Sequence, residues 1–101
     1  MIYSFKWQPN SEYTYYEEVG FILLKRSLKE VQKFAALVDK NLERLSKNPK
    51  IGTYKKELKI YSLVLSKQTT LYYNFDVNTK IIDLYAFWND SKKPADLIKL
   101  L

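Results

Sequence analysis

The sequence predicts an α+β fold in which a strand and a helical hairpin precede an antiparallel sheet. Apolar residues recur at helical spacing through the first half, and runs rich in β-branched and aromatic residues follow Gly52. Only short connections separate these later runs, and short connections favour antiparallel neighbours. The helix pair and the sheet must bury their apolar faces together, so we expect the helices on one side of a curved sheet. The length of 101 residues predicts a single domain over residues 1–101.

The first two elements are a strand and a helix. Residues 2–7 contain β-forming residues in partial alternation and predict an N-terminal strand. Pro9, Asn10 and Ser11 then end this strand, and Asn10 or Ser11 can cap the helix that follows. We expect this helix over about residues 12–24. The positions at helical spacing are Tyr13, Tyr16, Gly20 and Leu23, with Val19 and Ile22 beside them.

The second helix has clearer start and stop signals. Ser27 and Glu30 have the spacing of a capping box, in which each side chain can satisfy the backbone N–H of the other residue. Asn48-Pro49 ends the helix, because the residue before a proline resists helical backbone. The connection between the two helices is short, so they are expected to form an antiparallel hairpin. The apolar stripe consists of Leu28, Val31, Phe34, Ala35, Val38, Leu42 and Leu45.

A three-stranded antiparallel meander is predicted after the hairpin. Its strands are expected at residues 60–65, 69–77 and 81–88, with polar turn residues between them. Pro94 then interrupts the pattern, and residues 95–101 are expected to form a short C-terminal tail, either the end of a strand or a short helix.

The composition excludes several classes of chemistry. The sequence has no cysteine and no histidine, which excludes disulfides, thiolate metal sites and His-dependent nucleophilic catalysis. No dense cluster of carboxylates stands out, and we expect neither a metal nor a cofactor. The apolar run Val19–Leu24 is too short to span a membrane, and residues 1–7 lack the pattern of a signal peptide. We therefore expect a cytoplasmic protein with no membrane partner.

The net charge of +6 is unevenly distributed. Residues 1–24 hold one lysine and three glutamates, a net charge of −2, so the remainder of the chain carries +8. The basic excess is densest in residues 47–67, where six lysines accompany one glutamate. Such a segment attracts phosphate backbones or an acidic peptide. The alternative is a solvated lysine-rich surface that keeps the protein soluble.

The order of elements and several local strings resemble the RelE/ParE superfamily of type II toxin–antitoxin toxins, of the plasmid stabilisation type. The similarity runs over essentially the whole chain, and its specificity comes from the ordered set of strings rather than from any one of them. The strings are Phe5-Lys6-Trp7, Leu42–Pro49, Lys59–Lys67, Thr69–Tyr73, Leu84–Asp90 and Pro94.

The resemblance implies a bacterial toxin that inhibits growth and is neutralised by a cognate antitoxin. RelE-like members enter the ribosome and cleave mRNA, whereas ParE-like members act on DNA gyrase without known cleavage chemistry. Fold alone does not choose between these two mechanisms. A decayed toxin that only binds its antitoxin is a third alternative, and a generic RNA-binding module is a more distant fourth.

Two departures from the family pattern favour the ParE-like mechanism slightly. Ser91 stands where nucleases of the family often have an arginine, and Leu65 stands near another such position. The only arginines, Arg26 and Arg44, fall in the predicted helical hairpin. Lysine substitutes poorly for arginine because it lacks the planar fork that grips a phosphate. No catalytic residue is therefore assigned.

The candidate binding residues are lysines and aromatic side chains near strand ends. Tyr72 and Tyr73 are adjacent and must point to opposite faces, so at least one of them is expected in the core. Burial is the default for Trp88, with an aromatic anchor for a partner as the alternative. The candidates for target or antitoxin binding are Lys55, Lys56, Lys59, Tyr61, Trp88, Lys92 and Lys93.

The antitoxin is expected to present an acidic segment to this chain. In the family the antitoxin wraps the toxin with a helix or an added strand. We expect the basic surface and an exposed sheet edge to receive an acidic, partly disordered antitoxin tail. The macromolecular target is DNA gyrase or the ribosome with its mRNA.

Overall fold

A computed structural model describes residues 2–101. Within this range an N-terminal strand is followed by two helices and then by antiparallel strands, which confirms the predicted α+β fold. The strands are β1 (Ser4–Trp7), β2 (Thr53–Lys55), β3 (Ile60–Val64), β4 (Thr69–Asp76) and β5 (Ile81–Asn89). The helices are α1 (Pro9–Lys25), α2 (Leu28–Lys47) and α3 (Pro94–Leu100), with one turn of 3-10 helix at Pro49–Ile51.

Helix α1 begins three residues earlier than the sequence predicted. Gln8, with extended backbone, is the N-cap residue rather than Asn10 or Ser11, and Pro9 occupies the first turn. Proline is tolerated there because the N–H that it lacks would have had no helical partner.

Helix α2 follows the sequence signals closely. The Ser27 hydroxyl accepts a hydrogen bond from the Glu30 backbone N–H at 3.3 Å, which is one half of the expected capping box. The Glu30 carboxylate lies 3.5 Å from the Lys33 ammonium. The helix ends at Lys47, immediately before Asn48-Pro49.

The sheet has the strand order β1-β5-β4-β3-β2. β1 is parallel to β5, and the other neighbouring strands are antiparallel. The sequence predicted β3, β4 and β5 as a three-stranded meander but missed β2, which pairs with the first half of β3. Three residues are too few to show a period, so β2 is defined by its neighbour rather than by its own pattern.

A bulge in β5 changes which side chains face the helices. Leu84 pairs with Tyr73, whereas Ala86 pairs with Tyr72, so Tyr85 is an extra residue in the ladder. Beyond it, Phe87 packs into the helix-side core, and Ala86 lies on the opposite face. The buried residues of the helix-side core are Phe34, Val38, Leu45, Leu63, Leu65, Leu71, Tyr73, Ile82, Leu84 and Phe87.

The bulge is tied to α1 by a buried threonine. The Thr14 hydroxyl accepts a hydrogen bond from the Phe87 backbone N–H at 2.9 Å and donates one to the Asn10 carbonyl at 2.6 Å. A buried amide of an irregular strand thereby finds its partner in a side chain of the covering helix.

The other face of the sheet, called here the open face, is covered in part by α3. Leu97 packs with Ala86 and Trp88 in a second small cluster, beside Tyr72. The C-terminal tail is thus a short helix rather than the end of a strand. The Asn10 side chain donates to the Leu100 carbonyl at 3.0 Å, which links the end of α3 to the start of α1.

Helix α1 buries polar residues and exposes apolar ones. Ser11, Thr14 and Glu18 are its buried residues, and the Glu18 carboxylate accepts a hydrogen bond from Thr69 at 3.2 Å. Of the positions that the sequence places at apolar helical spacing, Tyr13, Tyr16 and Leu23 are exposed, whereas Val19 and Ile22 pack against the helix-side core. The residues Tyr13, Tyr16, Gly20, Leu23 and Leu24 form a band along α1 that we call the outer stripe.

Candidate functional site

The predicted site residues are divided between the two ends of the sheet. Lys59 is at the end where Asn74 donates to its backbone carbonyl at 3.2 Å. The residues after β5 are at the other end, where Thr70 donates to Asp90 at 3.0 Å. Asn74 and Thr70 are four residue steps apart on β4, about 13 Å along the strand. One small ligand therefore cannot contact both groups, whereas a macromolecular partner can.

Lys55, Lys56 and Lys59 lie on one hairpin, the connection from β2 to β3, and we call them the hairpin lysines. The Lys59 N–H donates to the Lys55 carbonyl at 2.8 Å, which closes the turn. Lys59 has a φ of 58°, in the left-handed region. β2 is one of the two edge strands of the sheet, so these cations lie beside a strand edge.

A further cation at this end was missed by the sequence analysis. Lys80 closes the turn between β4 and β5, also with a left-handed φ of 59°, and its ammonium lies 5.1 Å from the centre of the Tyr3 ring. Its only sequence signal was its place after Asn78-Thr79, at a turn. Lys67, which the sequence grouped with the basic segment, lies in the turn from β3 to β4 at the opposite end.

Tyr61 lies on the opposite face of the sheet from Lys55. Its ring stacks on Tyr73 at 5.6 Å between ring centres and lies 5.2 Å from Phe75, on the helix side of the sheet. It also contacts the ring of Tyr54, its partner in the β2–β3 ladder. Lys55 follows Tyr54 and therefore points to the open face. The geometry gives Tyr61 a packing role.

The second group of candidates lies between β5 and α3. Trp88 is 5% exposed and packs under Leu97, so it can touch a partner only after α3 has moved. Lys92 forms an ion pair with Glu17 of α1, and its ammonium lies 5.4 Å from the centre of the Trp88 ring. Lys93 is exposed at the N-cap of α3.

The open face of the sheet carries carboxylates and tyrosines. Asp90 accepts from Thr70, and the Asp83 carboxylate accepts from Gln8 at 3.0 Å. Burial, and secondly the Asp90 charge, raise the pKa of Tyr72. Burial and Asp83 raise the pKa of Tyr85 in the same way. Both phenols are therefore protonated near neutral pH, where they can donate hydrogen bonds but cannot act as bases.

The placement of Tyr72 and Tyr73 confirms that adjacent tyrosines divide between the two faces. Tyr73 is fully buried on the helix side, where its hydroxyl donates to the Pro49 carbonyl at 2.6 Å and accepts from Gly52 N–H at 3.1 Å. Burial raises its pKa to about 12. Gly52 cannot carry a side chain, because a Cβ there would lie 2.5 Å from the Tyr73 hydroxyl.

The arginines and Leu65, one of the two departures from the family pattern, lie away from the open face. Arg44 donates to Asn41 within α2 at 2.9 Å, and Arg26 follows the end of α1. Leu65 is buried in the helix-side core, so a longer side chain at that position would not reach the open face. The Ser91 hydroxyl donates to the Asn89 side chain at 2.6 Å.

Two cavities flank the helical hairpin, and neither is lined by a predicted site residue. One of about 320 Å³ lies between Arg26, Lys33, Phe34 and the β3–β4 turn. The other, of about 390 Å³, is lined by Trp7, Glu12, Tyr15, Tyr16, Val38 and Asp39.

Within residues 2–101, no three His, Cys, Asp or Glu side chains are grouped so as to hold a metal ion. Over the same residues, no helix has the length and apolar character needed to cross a membrane.

Comparison with solved structures finds the same fold in a toxin–antitoxin complex. A chain in the crystal structure of the toxin–antitoxin complex RelBE2 from Mycobacterium tuberculosis matches with a TM-score of 0.64 and 15% sequence identity. The match covers 88% of this chain and 99% of that chain. No protein-family model matches the sequence, and no curated protein matches it either. The chain therefore has a RelE-like fold.

Proposed function

We propose that this chain is the toxin of a type II toxin–antitoxin system, which inhibits bacterial growth by binding a macromolecular target. The observation that carries the proposal is the fold shared with a chain of the RelBE2 complex over 88% of the present chain. The arrangement of the candidate residues supports it, because cations at both ends of a sheet suit a large partner better than a small substrate.

Growth of bacteria after induction of this chain alone tests the proposal. We expect arrest, and we expect relief when an adjacent open reading frame is co-expressed. Normal growth with folded protein in the cell extract would contradict an active toxin and would leave only antitoxin binding. Folding is checked on the purified chain by circular dichroism.

The inhibition is proposed to be ParE-like, by binding to DNA gyrase without cleavage. The open face supports this because it presents Asp83, Asp90 and neither of the two arginines, and its cations are lysines such as Lys55, which lack the planar fork that grips a phosphate. Tyr72 and Tyr85 are held protonated there, so neither supplies the base that cleavage through a 2′-hydroxyl requires. The alternative is a RelE-like mRNA endoribonuclease.

Two purified reactions distinguish the mechanisms. The chain is expected to inhibit supercoiling by gyrase and to leave ribosome-bound mRNA intact. Cleavage of mRNA that appears only with translating ribosomes, in the absence of gyrase inhibition, would replace the ParE-like mechanism with the RelE-like one.

The antitoxin is proposed to add an acidic segment along β2 and the hairpin lysines. β2 has one strand neighbour, so its other side can receive an added strand, and Lys55 ends the strand with Lys56 directly after it. The double variant Lys55→Glu/Lys56→Glu is expected to weaken antitoxin binding at least tenfold and to reduce its salt dependence.

A matched variant controls for net charge. Lys40→Glu/Lys67→Glu makes the same change of charge at exposed positions on α2 and at the other end of the sheet. It is expected to bind as the wild type does. Equal affinities for the two double variants, measured by isothermal titration calorimetry, would refute an electrostatic role for the hairpin lysines.

A further inference from the structure

The outer stripe of α1 leaves a band of large apolar side chains exposed. Tyr13, Tyr16 and Leu24 are 64%, 68% and 88% exposed, and Leu28 continues the band past the turn at 62%. Together with Leu23 these side chains present on the order of 600 Å², the upper end of what a monomeric protein usually leaves in one patch.

Gly20 lies in the middle of the stripe, and nothing within the chain explains it. A Cβ added at Gly20 would meet no atom within 4 Å. Glycine in a helix interior is unfavourable relative to alanine, so its position requires a reason outside the chain's own packing. The absence of a side chain allows the backbone of another helix to approach closely.

Charges of opposite sign lie at the two ends of the stripe. Glu12 and Glu17 flank its N-terminal half, while Lys25 and Arg26 follow its C-terminal end. Glu17 pairs with Lys92, but among residues 2–101 neither Glu12 nor Arg26 has an ion-pair partner. Such a surface is complementary to a copy of itself turned end to end.

We propose that the outer stripe binds the outer stripe of a second copy of this chain, with the two α1 helices antiparallel about a two-fold axis near Gly20. Tyr16 and Leu24 lie four residues on either side of Gly20, so each meets the other across the axis. Glu12 lies about 12 Å from Gly20 along the helix axis, and Arg26 lies about 9 Å from it in the other direction. In the antiparallel dimer Glu12 of one copy is therefore offset from Arg26 of the other by only about 3 Å, which the long arginine side chain can span. Each charge pair forms twice by symmetry.

The size of the stripe fits this occupant. A standard interface buries about 800 Å² on each partner, and the apolar band with its flanking charges approaches that area. The proposal concerns only self-association, so it stands or falls independently of toxin activity.

Sedimentation velocity of the purified full chain tests the proposal. We expect a monomer–dimer equilibrium that Leu24→Glu weakens at least tenfold. The matched control is Val77→Glu, which places the same charge on an apolar residue that is 53% exposed in the β4–β5 turn. It is expected to dimerise as the wild type does. Both variants must keep the circular dichroism spectrum of the wild type.

A charge exchange tests the antiparallel arrangement. Glu12→Lys and Arg26→Glu are each expected to weaken the dimer, and the double variant is expected to restore it. Glu12 lies in the first turn of α1 and Arg26 directly after its last residue, about 21 Å away, so rescue cannot arise within one chain.

Three outcomes would overturn the proposal. A chain that stays monomeric at millimolar concentration has no such dimer, and equal effects of Leu24→Glu and Val77→Glu would place the contact elsewhere. A monomer whose binding to the antitoxin is abolished by Leu24→Glu would assign the outer stripe to the antitoxin instead.

Discussion

Replacement of Thr14 by valine tests how α1 is fixed on the sheet. Thr14 is 2% exposed, and its hydroxyl is the acceptor for the buried Phe87 N–H beside the bulge in β5. Valine has nearly the same shape but cannot accept, so Thr14→Val leaves that amide unsatisfied. A buried donor without a partner costs about 1–3 kcal/mol, and we expect a loss of about 2 kcal/mol. For a domain of this size that corresponds to a fall in Tm of roughly 8–15 °C.

Thermal denaturation and amide exchange give separate measurements of this effect. Thr14→Ser keeps the hydroxyl and loses one methyl group, so it is expected to cost only about 0.8 kcal/mol. The exchange protection of the Phe87 amide should fall in the valine variant and persist in the serine variant. If the valine variant were as stable as the wild type, or serine as damaging as valine, the hydrogen bond would not fix α1 on β5.

Two further predictions concern buried aromatic residues. Trp88→Ala removes a side chain packed under α3 and is expected to lower the free energy of unfolding by about 3–5 kcal/mol in urea denaturation, whereas Val77→Ala, at an exposed turn, should change it by less than about 0.5 kcal/mol. A stable Trp88→Ala variant that fails to bind its partner would make Trp88 a binding residue instead. The raised pKa of Tyr73, about 12, means that the unfolded chain releases this proton first as the pH rises above 10. The contribution of Tyr73 to the free energy of unfolding is therefore fully present below pH 10 and falls by up to roughly 2–3 kcal/mol between pH 10 and 12. An unchanged urea midpoint over that pH range would contradict this prediction.

The elements predicted best are those whose signals are local. Helix α2 carries its cap at Ser27, an apolar stripe and a stop at Asn48-Pro49, and the structure follows all three, except that Leu28 at the start of the stripe is exposed. β2 was missed because it exists only through its pairing with Ile60–Ser62. The buried face of α1 was only partly predictable from hydropathy. Val19 and Ile22 do pack against the core, but the buried Thr14 and Glu18 are held by hydrogen bonds to Phe87 and Thr69, which are distant in sequence.

The candidate site was predicted as residue types but not as an arrangement. The sequence grouped Lys55 and Lys67 in one basic segment, whereas the strand between them carries Lys67 to the other end of the sheet. Lys80 is far from Lys59 in sequence but occupies the neighbouring turn. The positions of lysines along the sequence therefore predict a charged surface only when the direction of each strand is also known.

Lys59 and Lys80 both have left-handed backbone, so at these two positions a substitution that raises thermal stability also removes a positive charge. Glycine adopts such a conformation without the contact between Cβ and the backbone, which costs other residues about 1 kcal/mol each. A design that sought a more heat-resistant chain would place glycine in both turns. It would at the same time remove two cations from the end of the sheet that carries the free edge of β2. The substitutions that would stabilise these turns thus remove Lys59 from the proposed antitoxin-binding surface and Lys80 from the turn beside it.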